Sequence, residues 1–167
     1  MAALFVLAVS FLVLRGLGLF GVRRLSSWRE AGLVAVAITF LFTGATHFTG
    51  MKHDYAAMLP GPLSGNLGII YLSGILEIAG AVGLLVPRTR RLAGVCLALY
   101  LVAVFPGNVY AAVNEVPFRG EPPTPLWLRT PIQLLFIGVV LWTSVVRNPF
   151  DRVEAPRVGE PPPAGTV

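Results

Sequence analysis

The sequence is poor in cysteine, histidine and charge. Of its 167 residues, 13% are charged, two are histidines and one, Cys96, is a cysteine. A single cysteine excludes an internal disulfide and a CxxC redox pair. His47 and His53, with Asp54 beside the second, do not share one helix face and have no third firm ligand, so the sequence predicts no metal site. Because both histidines fall on the same predicted side of the membrane, a bis-histidine haem is also disfavoured.

The scarcity of charge accompanies an abundance of apolar residues. Hydrophobic residues make up 55% of the chain, and the mean hydropathy is +0.75. A soluble domain is about one quarter charged, so this composition indicates that lipid covers part of the surface. The net charge of +5 does not indicate a nucleic-acid partner. The basic residues lie in short segments between apolar runs, where orientation in a bilayer explains them.

Five long apolar runs predict an all-α integral membrane helix bundle over residues 1–147. A helix rises 1.5 Å per residue, so a run of about 20 residues crosses a bilayer. Pro106 predicts a kink in the fourth helix. The proline-rich segment 148–167 predicts a disordered cytoplasmic tail. The predicted spans are residues 2–22, 31–48, 67–86, 92–113 and 128–146.

The distribution of basic residues predicts the orientation of the helices. The first and third loops together with the tail hold nine arginines, whereas the second and fourth loops hold three basic residues. By the positive-inside rule, the N-terminus lies outside and the C-terminus in the cytoplasm. The second loop, 51–64, is expected to lie along the outer surface, and the fourth, 114–130, to form an ordered cap.

Glu77 lies near the middle of the third predicted span, where a charge is costly. Three interpretations remain open. In the first, Glu77 forms a buried structural ion pair with Arg15 of the first span. In the second, Arg15 extends to the inner surface while a protonated Glu77 is hydrogen-bonded. In the third, Glu77 donates or accepts a proton, or anchors a ligand, inside a small cavity.

Further polar residues fall in the outer halves of the predicted spans. Structural packing explains some of them, because a proline-kinked helix frees carbonyls that need polar partners. The alternative is a polar pocket open to the outer leaflet, with Glu77 at its floor. The residues concerned are His47, Tyr71, Ser73, Asn108, Arg129 and Gln133.

Four segments carry a resemblance to a known family. They are FTGATHF (42–48), YLSGILEIAGAVGLLVPRTRRLAG (71–94), AVFPGNVYAA (103–112) and LWLRTPIQ (126–133). In order and spacing, these segments resemble the DoxX-like family of small bacterial membrane proteins. The resemblance covers about residues 31–146 and implies a four-helix core, to which this chain adds an N-terminal helix.

The resemblance implies a bacterial plasma (inner) membrane and a link to redox or stress chemistry, and two classes of function stay open. The first is a membrane subunit or anchor of a complex involved in redox or stress chemistry, with Glu77 structural. The second is a small membrane enzyme acting on a lipophilic substrate such as a quinone or an isoprenoid. In the enzyme, Glu77 and His47 would be catalytic, and Tyr71, Ser73, Asn108, Arg129 and Gln133 would bind the substrate. The expected partners are the lipid bilayer and either a protein partner or a second copy of the chain; a quinone is the cofactor left open.

Overall fold

A computed structural model describes residues 2–22 and 25–146. Within these residues the regular structure is helical, apart from one isolated β-bridge between Phe118 and Glu121. The predicted disordered tail lies outside the described residues. The helices are α1 (Ala2–Leu19), α2 (Trp28–Thr46), α3 (Lys52–Ala57), α4 (Leu67–Leu85), α5 (Arg90–Val113) and α6 (Leu126–Ser144), with a short 3-10 helix at Gly61–Leu63.

Five of these helices, α1, α2, α4, α5 and α6, are long and apolar enough to cross a membrane. Their number agrees with the sequence prediction, while some ends differ. Helix α2 begins at Trp28, three residues earlier than predicted, because the Ser27 hydroxyl accepts a hydrogen bond from the Glu30 amide. That bond satisfies one of the free N–H groups in the first turn. Helix α5 continues through Pro106 to Val113.

Helix α2 is the central helix of the bundle. It packs against α1, α4 and α6, while α4 packs against α5 and α5 against α6. The four helices α2, α4, α5 and α6 therefore close into a ring, and α1 lies outside it against α2. Of the five long helices, α2 is the most buried and α1 the least. This arrangement agrees with a four-helix core to which an N-terminal helix has been added.

Glycines allow the core helices to approach closely. A β-carbon at Gly80 of α4 would lie 2.5 Å from the side chain of Leu97 on α5. One turn further, a β-carbon at Gly83 would lie 2.8 Å from that of Ala93. Small residues at such crossings increase the van der Waals contact on which helix association in membranes depends. The glycines of the third predicted span thus serve helix packing.

The two ends of the bundle differ in character. At the end where α2 and α5 begin, Arg90 forms a 2.8 Å ion pair with Glu30, and Arg29 donates to the Thr143 carbonyl at 3.0 Å. At the opposite end, α3 and the segment 114–125 fold over the helix termini. There the rings of Tyr55 and Phe118 pack 5.1 Å apart. The fourth loop therefore forms an ordered cap, and this end is called the capped end below.

Candidate functional site

Glu77 lies on the buried face of α4 and joins three helices. Its side chain is in a residue only 7% exposed, about 15 Å along the helix from Leu67. Oε2 lies 2.5 Å from the Thr43 hydroxyl of α2, and Oε1 accepts a 2.7 Å hydrogen bond from the Tyr100 hydroxyl of α5. Both carboxyl oxygens therefore have partners within the chain.

His47, immediately after α2, is the third neighbour of the carboxyl group. Its Nε2 lies 3.6 Å from Glu77 Oε1, and its Nδ1 lies 3.1 Å from the Ile70 carbonyl. A carbonyl oxygen can only accept a hydrogen bond, so Nδ1 must carry a proton. When the imidazole is neutral, it is therefore the tautomer whose Nε2 lone pair faces Glu77.

The local sequence explains how α2 places Thr43 and His47 beside Glu77. Thr43 and His47 are four residues apart, so both project from one side of the helix end. Gly44 lies beside them and lets α4 approach, since a β-carbon there would lie 3.1 Å from Glu77 Cβ. On α4, a β-carbon at Gly74 would lie 2.8 Å from His47 Cβ. The crossing of α2 and α4 at two glycines brings the polar groups within reach.

Tyr55 of α3 covers the imidazole from the capped end. Its ring stacks on His47 with centroids 4.5 Å apart and planes inclined by 15°. Its hydroxyl lies 3.0 Å from the Thr46 hydroxyl, which itself donates to the Thr43 carbonyl. Burial raises the pKa of Tyr55, with the hydrogen bond between Tyr55 and Thr46 acting in the opposite direction. Tyr55 is thus a neutral phenol at physiological pH. Glu77, Thr43, Tyr100, His47 and Tyr55 are called the Glu77 cluster below.

In the structure Arg15 does not form the ion pair with Glu77 that the first of the three interpretations describes. Arg15 Nη1 donates to the Ser26 carbonyl at 2.5 Å, and its guanidinium lies 4.8 Å from the centre of the Trp28 ring. These partners lie at the junction of α1 and α2, away from the capped end. Because α1 packs on the outside of α2, the partners of Arg15 are backbone carbonyls and an aromatic ring at this junction. Arg15 therefore extends toward the junction of α1 and α2.

The two predicted binding residues of α4 have different surroundings. Ser73 lies close enough to the Tyr100 hydroxyl to influence it and so lies beside the Glu77 cluster. Tyr71 instead accepts a 3.0 Å hydrogen bond from Lys52 Nζ and packs against Phe48. The structure therefore brings Ser73 to Glu77 and gives Tyr71 separate contacts at the start of α4.

The predicted binding residues of α5 and α6 do not converge on Glu77. Gln133 Nε2 donates at 2.5 Å to the Leu101 carbonyl of α5. Asn108 is half-buried and makes no side-chain hydrogen bond to any described residue. Arg129 is half-buried in the first turn of α6, where its charge acts on Tyr55. The charges of Arg129 and Glu77 therefore both act on Tyr55.

A cavity of about 140 Å³ lies between α5 and α6. Its volume is below the roughly 300 Å³ typical of small-molecule sites. Gln133 reaches it, whereas Glu77 and His47 do not line it. The lining residues are Val102, Phe105, Thr130, Gln133, Leu134 and Ile137.

Sequence reasoning missed four members or neighbours of the site: Thr43, Thr46, Tyr55 and Tyr100. Two of them carry a usable signal. Thr43 precedes His47 by four residues, and the Tyr100 hydroxyl lies within an apolar run where it requires a polar partner. No comparable pattern marks Tyr55, because α3 brings it to His47 from a separate loop. Among the described residues, His, Cys, Asp and Glu form no group of three that would hold a metal.

A protein-family model described as a domain of unknown function, DUF8561, matches residues 36–147. The match begins within α2 and extends just past α6, so it includes every member of the Glu77 cluster and leaves out α1. No curated protein and no solved structure matches the chain. Because the match covers more than half of the chain, the protein belongs to the DUF8561 family.

Proposed function

We propose that the protein spans a bacterial plasma membrane five times, with its N-terminus outside and its C-terminus in the cytoplasm. Five helices of sufficient length and hydropathy support this placement. The clustering of arginines supports the orientation, because Arg29, Arg88, Arg90 and Arg91 all belong to the end where α2 and α5 begin. Positive charge of this kind is retained on the cytoplasmic side. The capped end then faces outward.

Within this membrane, we propose a DoxX-like subunit that anchors or docks a partner engaged in redox or stress chemistry. The proposal rests on one observation: both carboxyl oxygens of Glu77 already have hydrogen-bond partners within the same chain. Thr43 and Tyr100 meet its two oxygens, and Tyr55 and His47 cover it from the capped end. A substrate would have to displace one of these groups to reach the carboxyl.

The same hydrogen bonds give Glu77 a structural role. A buried carboxyl bonded to side chains of two neighbouring helices fixes how α2, α4 and α5 lie against one another. Hydrogen bonds between membrane helices contribute on the order of 0.6–2 kcal/mol each. A rigid four-helix core of this kind is suited to present a constant surface to a partner protein.

Isolation of the intact protein from its native membrane tests the subunit proposal. The tagged chain is extracted in mild detergent, and its partners are identified by mass spectrometry and by absorption of bound flavin or haem. We expect a stoichiometric partner that carries a redox centre and that leaves the membrane when this chain is deleted. An unrelated five-helix protein with the same tag is the control. A partner that stays on the membrane after deletion contradicts the proposal.

A second function, catalysis on a lipophilic substrate, is favoured by Arg129 and Asn108. Arg129 is half-buried without an ion pair to any described residue, and Asn108 has no side-chain hydrogen bond there. Such groups would receive the carbonyl or hydroxyl head of a quinone. A saturable rise in Tm with a short-chain quinone, lost in Arg129→Gln, would favour the enzyme. Unchanged Tm over the soluble range of the quinone favours the subunit.

A further inference from the structure

The hydrogen bonds of Thr43 depend on whether the Glu77 carboxyl is protonated. Its hydroxyl oxygen lies 3.1 Å from the Thr39 carbonyl and 2.5 Å from Glu77 Oε2. A hydroxyl has one proton and donates once. If Thr43 donates to the carbonyl of the preceding turn, then Glu77 Oε2 must be the donor in the shorter contact. If Thr43 donates to Glu77, the carboxyl is free to be ionised.

In the first state, the proton is on the carboxyl. Oε2–H donates to Thr43, Thr43 donates to the Thr39 carbonyl, and the Tyr100 hydroxyl donates to Oε1. His47 is then neutral, with Nδ1–H bonded to the Ile70 carbonyl. The site carries no net charge.

In the second state, the proton is on the imidazole. The Glu77 carboxylate accepts from Thr43 and Tyr100, and its Oε1 faces the Nε2–H of a doubly protonated His47 across 3.6 Å. His47 still donates from Nδ1 to Ile70. The positive and negative charges are adjacent, and the site again carries no net charge.

Two other protonation states leave an uncompensated charge in the site. An ionised Glu77 beside a neutral His47 gives one negative charge, and a protonated Glu77 beside a protonated His47 gives one positive charge. Both residues are only 7% exposed, and burying an unpaired ion costs several kcal/mol. Among the described residues, no arginine or lysine forms an ion pair with the Glu77 carboxyl.

We propose that Glu77 and His47 form a binding site for one shared proton. Transfer within the site breaks the O–H bond of the carboxyl and forms an N–H bond at His47 Nε2, and no further reactant is consumed. The proposal uses only the membrane placement given above and is independent of any partner. The groups that face the pair are Thr43 from α2, Tyr55 from α3, Tyr100 from α5 and, through Tyr55, Asp54 and Arg129.

The position of Tyr55 gives this site a direction of access. The pair lies below the stacked Tyr55 ring, which in turn packs against Phe118 of the capping segment. Protons therefore enter and leave from the capped end, when the Tyr55 ring moves aside. A site closed in this way holds its proton until the cap opens.

The test counts protons on both groups in the intact protein in lipid nanodiscs. Ring ¹⁵N NMR reads the histidines, of which there are two, and His53→Gln assigns the exposed one. Infrared absorption of the protonated carboxyl group measures the protonated fraction of Glu77. The variant Glu77→Gln assigns the absorption band, and Glu121→Gln, at an exposed glutamate, is the matched control. We expect the protonated fraction of Glu77 and the doubly protonated fraction of His47 to sum to one from pH 5.5 to pH 8.

A total of zero or two protons at pH 7 overturns the proposal, as does a change of the total by half a proton or more within that range. An isolated imidazole would instead gain a proton near pH 6.5. The NMR measurement uses the wild-type chain, so it stands if Glu77→Gln fails to fold, and Glu77→Asp then assigns the band by its shift. Failure here leaves the subunit proposal intact, because co-purification with a partner is measured separately.

Discussion

Gly44 and Gly74 face each other where α2 crosses α4. A β-carbon on Gly44 would lie 3.1 Å from the Gly74 carbonyl oxygen, and one on Gly74 would lie 3.0 Å from the Gly44 carbonyl oxygen. Both backbones therefore come as close as side-chain-free residues allow. This crossing sets the distance at which Thr43 and His47 meet Glu77.

Gly74→Ala should lower the Tm of the detergent-solubilised protein. The added methyl group would meet His47 Cβ and the Phe48 ring at 2.8 Å each. Overpacking of this kind costs about 1–3 kcal/mol, which outweighs the roughly 1 kcal/mol that alanine contributes as a helix former. Gly138→Ala on α6 is the control, since its β-carbon meets nothing within 4 Å, and its Tm should stay or rise. Equal Tm shifts in the two variants would contradict the close crossing.

Arg15→Met and Glu77→Gln should act additively on the free energy of unfolding. Each residue has its own partners, so the coupling energy of this double-mutant cycle should stay within about 0.5 kcal/mol. Thr43→Val and Glu77→Gln share a hydrogen bond, and their coupling should reach about 0.5–2 kcal/mol. The cycles are measured by unfolding in mixed micelles. A larger coupling energy in the Arg15–Glu77 cycle than in the Thr43–Glu77 cycle would contradict the separate contacts described above and favour an ion pair between Arg15 and Glu77.

Tyr55→Ala should expose His47 to modification, whereas Tyr55→Phe should not. The ring that stacks on the imidazole remains in phenylalanine and is absent in alanine. Diethylpyrocarbonate labelling followed by mass spectrometry compares His47 with exposed His53, which serves as the internal reference. Tyr55→Ala should also cost about 3–5 kcal/mol if the protein folds, and Tyr55→Phe about 0.5–1.5 kcal/mol. Labelling of His47 in the wild-type protein at the His53 rate would refute the covering role of Tyr55.

Above pH 10 the wild-type protein should lose stability more steeply than Tyr55→Phe. Burial raises the pKa of Tyr55 above its ordinary value of 10.0, so the folded protein keeps the phenol neutral where the unfolded chain ionises it. The stability from this difference is complete below pH 10 and is lost as pH rises through the folded-state pKa. Tm measured from pH 9 to 11.5 gives the comparison. Parallel curves for the two proteins would show that Tyr55 is not buried as described.

Part of the Glu77 cluster was accessible from the sequence. Glu77 and His47 stand out because an apolar run leaves a carboxyl and an imidazole without water, and each then needs a partner. The residues that contact Glu77 and His47 could not be predicted from the sequence in this way. Thr43 and Tyr100 are unremarkable within their own helices, and they become relevant because α2 and α5 flank α4. Whether Arg15 could pair with Glu77 depended on which helices are neighbours, and α1 packs against α2.

By itself the sequence determined the number of long helices, their approximate ends and the segment that caps one end of the bundle. These follow from local patterns: length of apolar runs, capping residues such as Ser27, and proline-rich connections. Tertiary structure alone decided that α2 is central, that α1 lies outside the ring, and that Tyr55 reaches His47. Those outcomes depend on which helix faces pack together, and small residues such as Gly44 and Gly74 set that packing through contacts between residues distant in the chain.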